Sequence, residues 1–138
     1  MALRFFSEEI AFRLPHPRKT ANWIRSVIKK EKKVLANINY VFCSDAYLLG
    51  INKQYLNHST LTDIITFDYS KKGNLEAEIY ISIDRVRENA NIFNSAFDDE
   101  LHRVMIHGVL HLMGLKDKSV AEKAAMRKKE EACLSLRS

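Results

Sequence analysis

The sequence predicts an α+β fold, a single small domain over residues 1–138 in which a mixed sheet of about four strands packs with about five helices. The length of 138 residues is that of one ordinary domain. Segments with the alternating apolar pattern of strands are interspersed with segments that have the apolar spacing of amphipathic helices. Turn-forming residues join two of the predicted strands, which indicates a hairpin and antiparallel pairing.

The first predicted elements are a short strand and a helix. Apolar residues alternate at Ile10, Phe12 and Leu14, which predicts the strand before a His-Pro-Arg turn. Thr20 is expected to cap a helix that runs to Lys33. One face of this helix is basic, and it is either a phosphate-binding surface or a solvated helix side. The basic residues of this face are Arg25, Lys29, Lys30, Lys32 and Lys33.

The residue pattern in the middle of the chain predicts three strands and one helix. β-Branched and aromatic residues over 35–43 predict a strand, and a helix is expected over 44–55. Two further strands are predicted at 62–69 and 76–83. The turn-forming run at 71–74 joins them into a hairpin.

The residue pattern in the last part of the chain predicts three helices. The first runs over 84–92. Ser95 stands three residues before Asp98, in the spacing of a capping box, and a long helix is expected from there to Gly114. A final amphipathic helix is predicted over 120–134.

Charge and cysteine content restrict the class of protein. The formal net charge is +5, a moderate basic excess that favours an anionic partner such as nucleic acid without proving one. Cys43 and Cys133 form no CxxC pair, so we expect neither a disulfide scaffold nor a cysteine-based zinc ribbon, and the expected location is a reducing cytoplasm. Because no stretch is long enough to span a bilayer, we expect neither export nor membrane anchoring.

The segment HGVLHLMGLKD at 107–117 has the pattern of a metal site. His107 and His111 are four residues apart on a predicted helix, so their imidazoles project from one face and can share a metal ion. Gly114 follows where the helix should stop, because glycine tolerates the left-handed conformation that reverses the chain. That reversal can return Asp117 as a third ligand. The order of these residues is the metzincin spacing, with a carboxylate in place of the third histidine. Two imidazoles and one carboxylate suit zinc, and three protein ligands leave its fourth coordination position open.

The surroundings of the two histidines bear on this interpretation. Two histidines at helical spacing often only pack or form hydrogen bonds. Here the helix is apolar nearly all round and should be buried, so its imidazoles need partners. Zinc peptidases with this spacing place a glutamate directly after the first histidine, where this chain has Gly108. A metallopeptidase mechanism is therefore disfavoured.

Several segments resemble the YbeY family of bacterial endoribonucleases that mature rRNA. HGVLHLMG resembles the family signature, and LTDIITF at 61–67 and AEIYISIDRVRENA at 77–90 resemble its strands and the helix that follows them. The resemblance extends over about 35–134. It includes single residues before the predicted zinc helix and in the last helix, namely Phe97, Glu100, Leu101, Arg103, Met126, Glu130 and Leu134.

The resemblance implies a cytoplasmic endoribonuclease that is specific for single-stranded RNA and holds one zinc ion per chain. It implies a role in maturing the 3′ end of 16S rRNA and in ribosome quality control, with small-subunit rRNA and ribosomal particles as partners. The family motif ends in a histidine where this chain has Asp117. The resemblance carries the ligand role over to that carboxylate, which zinc accepts.

A second departure concerns positive charge. An arginine implicated in catalysis in the family is replaced by Leu56. Phosphoryl transfer needs positive charge near the developing oxyanion, so another group would have to supply it. The candidates are Arg103, Lys53, His58, Lys71 and Lys72. For Arg103, a buried ion pair with a nearby carboxylate is the alternative interpretation. His58 and His102 are otherwise expected to lie at the surface or beside the ligands.

Two other functions stay open at this point. One is a zinc hydrolase, such as a metallopeptidase, that acts on a non-nucleic substrate. The other is a noncatalytic ribosome-assembly factor that contains zinc. The zinc hydrolase is disfavoured because the chain has Gly108 where zinc peptidases have a glutamate. A structural zinc site normally has four protein ligands. Since only three are predicted here, a noncatalytic assembly factor is disfavoured.

Overall fold

A computed structural model describes residues 2–58 and 60–137. Its sheet has four strands, β1 (Ala2–Glu8), β2 (Val34–Cys43), β3 (Ile64–Asp68) and β4 (Asn74–Ser82), in the order β1-β2-β4-β3. β1, β2 and β4 run parallel, and β3 pairs antiparallel with β4 as the predicted hairpin. The sheet is therefore mixed, as predicted, and β3 forms one of its edges.

Five helices accompany the sheet within the described residues. They are α1 (Pro17–Lys30), α2 (Asp45–Leu56), α3 (Ile83–Ile92), α4 (Phe97–Leu112) and α5 (Val120–Leu134). The α+β class of the fold is confirmed. No helix in the described part of the chain combines the length and apolar character needed to cross a membrane.

The main core lies between one face of the sheet and the helices α1 and α4. Tyr40 of β2 is fully buried there, and its hydroxyl donates a hydrogen bond to the carbonyl of Met105 in α4 at 2.9 Å. This bond satisfies a buried hydroxyl and fixes α4 against the sheet. On the opposite face of the sheet, Leu48 of α2 packs on Cys43 and Ile65 in a smaller cluster.

The last helix packs mainly on α4 and also reaches α1 through one hydrogen bond. The indole of Trp23 in α1 donates to the carbonyl of Cys133 in α5 at 2.8 Å, and this bond is buried. The buried residues of α5 are Met126, Glu130 and Cys133. They recur at helical spacing and form the face that α5 turns inward. A glutamate in the middle of that buried face is unusual and is important for the site described below.

The strand predicted at Ile10, Phe12 and Leu14 is wrong. The first strand is β1, which pairs in parallel with β2, whereas residues 10–14 lie outside the sheet. The three apolar side chains nevertheless pack on the core. Their alternation therefore comes from a loop that covers the core, and the hydroxyl of Ser7 donates to the carbonyl of Phe12 at 2.6 Å to close that loop.

Two predicted helix starts are also wrong. α1 begins at Pro17 after His16, and Thr20 is buried within its first turn. Proline suits the first helical position because its fixed φ is already helical and its missing N–H has no partner there. Before α4, the sequence predicts Ser95 at the capping position, but Ala96 takes it, without a side-chain cap. Three acidic residues in the first turn of α4 favour the start of that helix by interacting with its dipole.

The end of α1 also differs from the prediction. The sequence predicts a helix that reaches Lys33, but α1 stops at Lys30. Lys32 has a φ of +59°, in the left-handed region, which ends the helical path. Lys32 and Lys33 therefore lie in the connection to β2 and do not extend the basic face of α1.

Candidate metal centre

His107 and His111 lie on the last two turns of α4, one turn apart. The centroids of their rings are separated by 4.7 Å. The neighbouring residues Ile106 and Leu110 are fully buried, whereas both histidines are partly exposed. The core therefore fixes the rotation of the helix, and that rotation directs the two imidazoles together toward one partly open site.

The turn after α4 brings Asp117 to these histidines. Gly114 has a φ of +98°, which favours glycine. The amide of Gly114 donates to the carbonyl of His111 at 3.0 Å, and the amide of Leu115 donates to the carbonyl of Leu110 at 3.1 Å. This is the Schellman arrangement that satisfies the last carbonyls of a helix and reverses the chain.

The three side chains meet at distances that suit a metal ion. His107 Nε2 lies 3.2 Å from Asp117 Oδ2, and His111 Nε2 lies 3.4 Å from Asp117 Oδ1. One ligand atom from each residue can be chosen so that all three lie within 4.8 Å of one another. Ligand atoms around tetrahedral zinc are about 3.3 Å apart when each bond is about 2.0 Å. The two nitrogen donors and one oxygen donor therefore fit zinc in type and in spacing.

The other ring nitrogen of His107 contacts a second carboxylate. His107 Nδ1 and Glu130 Oε2 are 2.5 Å apart. Burial of the ring opposes its charged form, but the hydrogen bond to Glu130 and the nearby charges of Asp117 and Asp63 outweigh burial and raise the pKa of His107. A neutral imidazole carries only one proton. Two carboxylates beside one imidazole therefore favour a second proton on the ring or, in its place, a cation at Nε2.

Arg103 lies one turn before His107 and is held by two buried glutamates. Its Nη1 donates to Glu130 Oε1 at 3.0 Å, and its Nε donates to Glu100 Oε1 at 3.0 Å. A further bond joins Nη2 to Glu100 Oε2. Glu100 and Glu130 are only 3% and 2% exposed. Burial opposes the charge of Glu130, but the bonds from His107 and Arg103 outweigh burial and lower its pKa.

A groove of about 560 Å³ lies beside the three candidate ligands, between the edge strand β3 and α4. Its lining carries more carboxylates than arginine and lysine side chains. Three aspartates, Asp63, Asp68 and Asp117, line it, and Arg103 is the only lysine or arginine among the described lining residues. The remaining lining residues are Thr62, Ile64, Thr66, Val104, His107, His111 and Leu112.

Asp63 is the most enclosed of the groove aspartates. Its Oδ2 accepts a hydrogen bond from Asn89 Nδ2 at 3.2 Å, and its carbonyl accepts one from the amide of Ser82 at 3.0 Å. Desolvation by burial raises the pKa of its carboxyl, although the positive charges of His107 and Arg103 act in the opposite direction. Its carboxyl therefore exchanges a proton closer to neutral pH than an exposed aspartate does.

The other candidate cations lie elsewhere. Lys53 and Leu56 are exposed on α2, His58 is exposed just after it, and Lys71 and Lys72 are exposed in the β3–β4 turn. None of these five lines the groove among the residues that the structure describes. Of the candidates, only Arg103 reaches the groove, and it is engaged in the buried ion pairs that the sequence offered as the alternative interpretation.

His102 is not beside the ligands. Its ring lies 5.4 Å from that of Trp23, and its Nδ1 is 2.8 Å from Arg137 Nη1. Burial and the charge of Arg137 lower the pKa of His102. It therefore belongs to the contact between α1, α4 and the C-terminal end of the chain.

Sequence reasoning did not assign a role to Asp63, Glu100 or Glu130. Each belongs to a segment or set of residues that resembles the family. Glu100 lies two helical turns before His107 on α4, whereas no local spacing connects Asp63 or Glu130 to the histidines. One signal was available for Glu130, since it interrupts the apolar face of α5 between Met126 and Cys133. A charged residue at such a position needs a buried partner.

The fold and the cluster together define a class of protein, a small α+β domain with a candidate metal centre of two histidines and a carboxylate at the end of a buried helix. A family model described as Endoribonuclease YbeY matches residues 7–137. The chain therefore belongs to the YbeY family.

Individual relatives agree with this assignment. A protein named Endoribonuclease YbeY from Flavobacterium psychrophilum is 55% identical over 131 residues, which cover 95% of this chain and 94% of the relative. Its namesake from Cytophaga hutchinsonii is 51% identical over 134 residues, covering 96% and 94%. The solution structure of TM1509 from Thermotoga maritima matches with a TM-score of 0.69 and 26% identity, covering 98% of this chain and 88% of that chain.

Proposed function

We propose that this chain is an endoribonuclease that uses one zinc ion, held by His107, His111 and Asp117, to cleave single-stranded RNA. The observation that carries the proposal is the meeting of these three side chains, with donor atoms within 4.8 Å, beside an open groove. The relatives named as endoribonucleases support the reaction type. The donor set supports zinc, because two imidazoles and one carboxylate leave a position free for reaction.

The charge of the groove indicates what the metal would contribute. Three aspartates line the groove, and Arg103 is already neutralised by Glu100 and Glu130. An RNA phosphate would therefore meet net negative charge in the metal-free protein. A zinc ion held there would supply positive charge to a scissile phosphate and activate water for attack. We infer that productive binding of RNA in the groove requires the metal.

The chain's own residues would act around that ion in distinct ways. His107, His111 and Asp117 would bind it, and the groove walls would orient the RNA strand. Asp63 would hold or accept a proton, because burial raises the pKa of its carboxyl. The hydroxyls of Thr62 and Thr66 also line the groove and are uncharged donors available to phosphate or ribose oxygens.

Contacts of Gly108 argue against a metallopeptidase. A Cβ atom at this position would lie 3.1 Å from Cδ1 of Ile64 and 3.1 Å from Cδ1 of Ile79. The backbone of α4 is thus pressed against the sheet at the position where zinc peptidases of this spacing have their glutamate. A glutamate side chain there would have to displace two isoleucines.

A noncatalytic role is disfavoured by the number of ligands. The described residues bring together three metal donors, and the site opens onto the groove. Structural zinc sites are normally closed by four protein ligands. We therefore favour catalysis over a purely structural role for the metal.

The test is a single-turnover cleavage assay on a defined single-stranded RNA, with the same RNA in duplex form as a comparison. We expect cleavage of the single strand by the native protein, loss of cleavage with a chelator, and loss of both zinc and cleavage in His111→Ala. His58→Ala is the matched control and should retain both, since His58 is exposed outside the groove. Cleavage that survives both the chelator and His111→Ala would refute the proposal, as would a native protein that cleaves no RNA.

We further propose that the substrate is the 3′ end of 16S rRNA in ribosomal particles, that the protein also acts in ribosome quality control, and that it works in the cytoplasm. These statements follow from the family resemblance. If they hold, cells whose only copy carries His111→Ala accumulate 16S rRNA with an unprocessed 3′ end. Normal 3′ ends in such cells would exclude this substrate while leaving the nuclease activity intact.

A further inference from the structure

The buried face of α5 carries one carboxylate, that of Glu130, which contacts a candidate metal ligand on another helix. Glu130 is 2% exposed and is flanked on its face by Met126 and Cys133. Its two carboxylate oxygens have different partners. Oε2 faces Nδ1 of His107, and Oε1 accepts from Nη1 of Arg103.

We propose that Glu130 is the positioning residue of the metal centre. It would fix the ring and the tautomer of His107, and Arg103 and Glu100 would hold Glu130 in place. This inference rests on the proposed function only in taking His107 as a ligand.

The tautomer argument follows from hydrogen bonding. A carboxylate can only accept hydrogen bonds, so Glu130 requires the proton of a neutral His107 to be on Nδ1. The lone pair is then on Nε2, the atom that faces Asp117 at 3.2 Å. Histidine ligands commonly donate their second N–H to a carboxylate, which orients the ring and makes it a better ligand.

The role of Arg103 follows from the same contacts. Its guanidinium bonds Glu100 through Nε and Nη2 and Glu130 through Nη1. Arg103 therefore occupies one oxygen of Glu130 and leaves the other for His107. It connects α4 to α5 and would act on the metal through Glu130.

This arrangement makes an unusual prediction for Glu130→Gln. A glutamine has one oxygen and one NH₂ group, and Arg103 can only donate. The oxygen would therefore turn to Arg103, and the NH₂ group would face Nδ1 of His107. That donor would force the ring proton onto Nε2 and remove the lone pair that binds the metal. Glu130→Gln should consequently bind metal more weakly than Glu130→Ala, because no side chain at position 130 of the alanine variant fixes the tautomer of His107.

The experiment measures the affinity for Zn²⁺ by competition with a chromogenic chelator, without RNA. Loss of a residue that orients a metal ligand typically costs about 10–100-fold in affinity, and we expect Glu130→Gln to lie at the upper end and Glu130→Ala below it. Glu131→Gln is the matched control, since Glu131 is exposed on the same helix, and it should bind as the native protein does. Equal affinity in Glu130→Gln and native protein, or a larger loss in Glu130→Ala, would overturn the proposal.

A second measurement covers the case in which Glu130→Ala does not fold. Nitrogen-15 NMR of the metal-free protein, at a pH at which His107 is neutral, distinguishes the two tautomers. We expect the proton on Nδ1 in the native protein and on Nε2 in Glu130→Gln, and the same tautomer in both would refute the role of Glu130. Neither measurement uses RNA. A failed cleavage assay would therefore reject the nuclease proposal and leave the proposed role of Glu130 unaffected.

Discussion

His102 and His107 lie on the same helix, and their surroundings shift their pKa values in opposite directions. Burial and the charge of Arg137 lower the pKa of His102. At His107 burial acts in the same direction, but Glu130 outweighs it and the pKa rises. The neighbouring carboxylates thus make His107 a site for a cation, whereas the surroundings of His102 favour its neutral form.

We predict that His102 makes the protein less stable in acid. Its pKa in the folded state lies below the ordinary value of 6.5, so the unfolded chain takes up a proton first as the pH falls. Its contribution to the free energy of unfolding is therefore present above pH 6.5 and decreases below it. Urea unfolding of the native protein and His102→Gln, above and below that pH, measures this effect. The native protein should lose more stability than the variant, and parallel pH profiles would contradict the assignment.

A second prediction concerns Gly108. Alanine would favour the helix by about 1 kcal/mol. Its Cβ would also press on Ile64 and Ile79 at 3.1 Å. Overpacking of this kind costs about 1–3 kcal/mol, so we expect Gly108→Ala to lower the free energy of unfolding by about 1 kcal/mol.

Gly50→Ala is the matched control for this substitution. Gly50 lies in α2 with nothing within 4 Å of an added Cβ, so its replacement should stabilise the protein. Denaturant unfolding of both variants would give opposite signs. A stabilising Gly108→Ala would show that the contact between α4 and the sheet is looser than the distances indicate.

At the scale of elements, α5 depends on a local cap. Ser119 accepts a hydrogen bond from the amide of Glu122 at 3.1 Å, and the carboxylate of Glu122 accepts one from the amide of Ser119 at 2.9 Å. This reciprocal pair is a capping box. The cap therefore stabilises the helix that carries Glu130.

We predict that Ser119→Ala lowers the free energy of unfolding by about 1 kcal/mol, the usual cost of losing a capping side chain. Ser95→Ala is the control. Ser95 precedes α4 at the spacing of a capping box, but Ala96 takes that position and no side chain caps the helix. Thermal unfolding should show a lower Tm for Ser119→Ala and an unchanged Tm for Ser95→Ala. Equal shifts would mean that the capping box adds nothing.

These two serines show what local sequence can and cannot predict. The amphipathic pattern predicts the range of α5 correctly, and the turn residues predict the β3–β4 hairpin. The caps of α1 and α4 and the position of β1 do not follow from local pattern. Those features depend on tertiary contacts, such as the parallel pairing of β1 with a strand about thirty residues later.

The same distinction applies to the site. His107, His111, Gly114 and Asp117 are close in sequence, so helix periodicity and a glycine turn are enough to propose that they meet. Glu130 follows His107 by 23 residues, and only the packing of α4 on α5 brings them together. Whether the three residues bind a metal stays a prediction until metal content is measured.

For the whole molecule, charge is distributed unevenly. The chain carries a formal charge of +5, yet three aspartates and a single arginine are among the residues that line its groove. Many of its basic residues lie on outer surfaces, among them Lys29 and Lys30 on the exposed side of α1. General attraction of RNA and binding at the site of reaction would therefore depend on different parts of the protein.

We predict that affinity for RNA falls steeply with salt, because phosphate contacts release counterions. The double charge reversal Lys29→Glu with Lys30→Glu should weaken binding of all RNA sequences alike. It should also reduce the slope of log K against log salt by about 1 for each phosphate that the protein no longer neutralises. Fluorescence anisotropy with two unrelated RNAs, at several salt concentrations, measures both effects.

Arg4→Glu with Arg13→Glu provides the control for net charge. These exposed residues lie on β1 and in the loop after it, and their reversal changes the total charge by the same amount. The slope should be less affected than by the α1 variant. If both double variants bind alike, only total charge matters and the basic side of α1 is a solvated surface.

The hydrogen bond between Trp23 and Cys133 has an optical consequence. Trp23 is the only tryptophan in the chain, so intrinsic emission excited at long wavelength comes from one known place. Its indole is buried against the last turn of α5. Any state in which α5 separates from the core exposes the indole to water and shifts the emission to the red. α5 also carries Glu130, which contacts the candidate metal ligand His107. The emission of Trp23 can therefore report, in real time and without a label, whether adding or withdrawing a metal ion changes the association of α5 with the core.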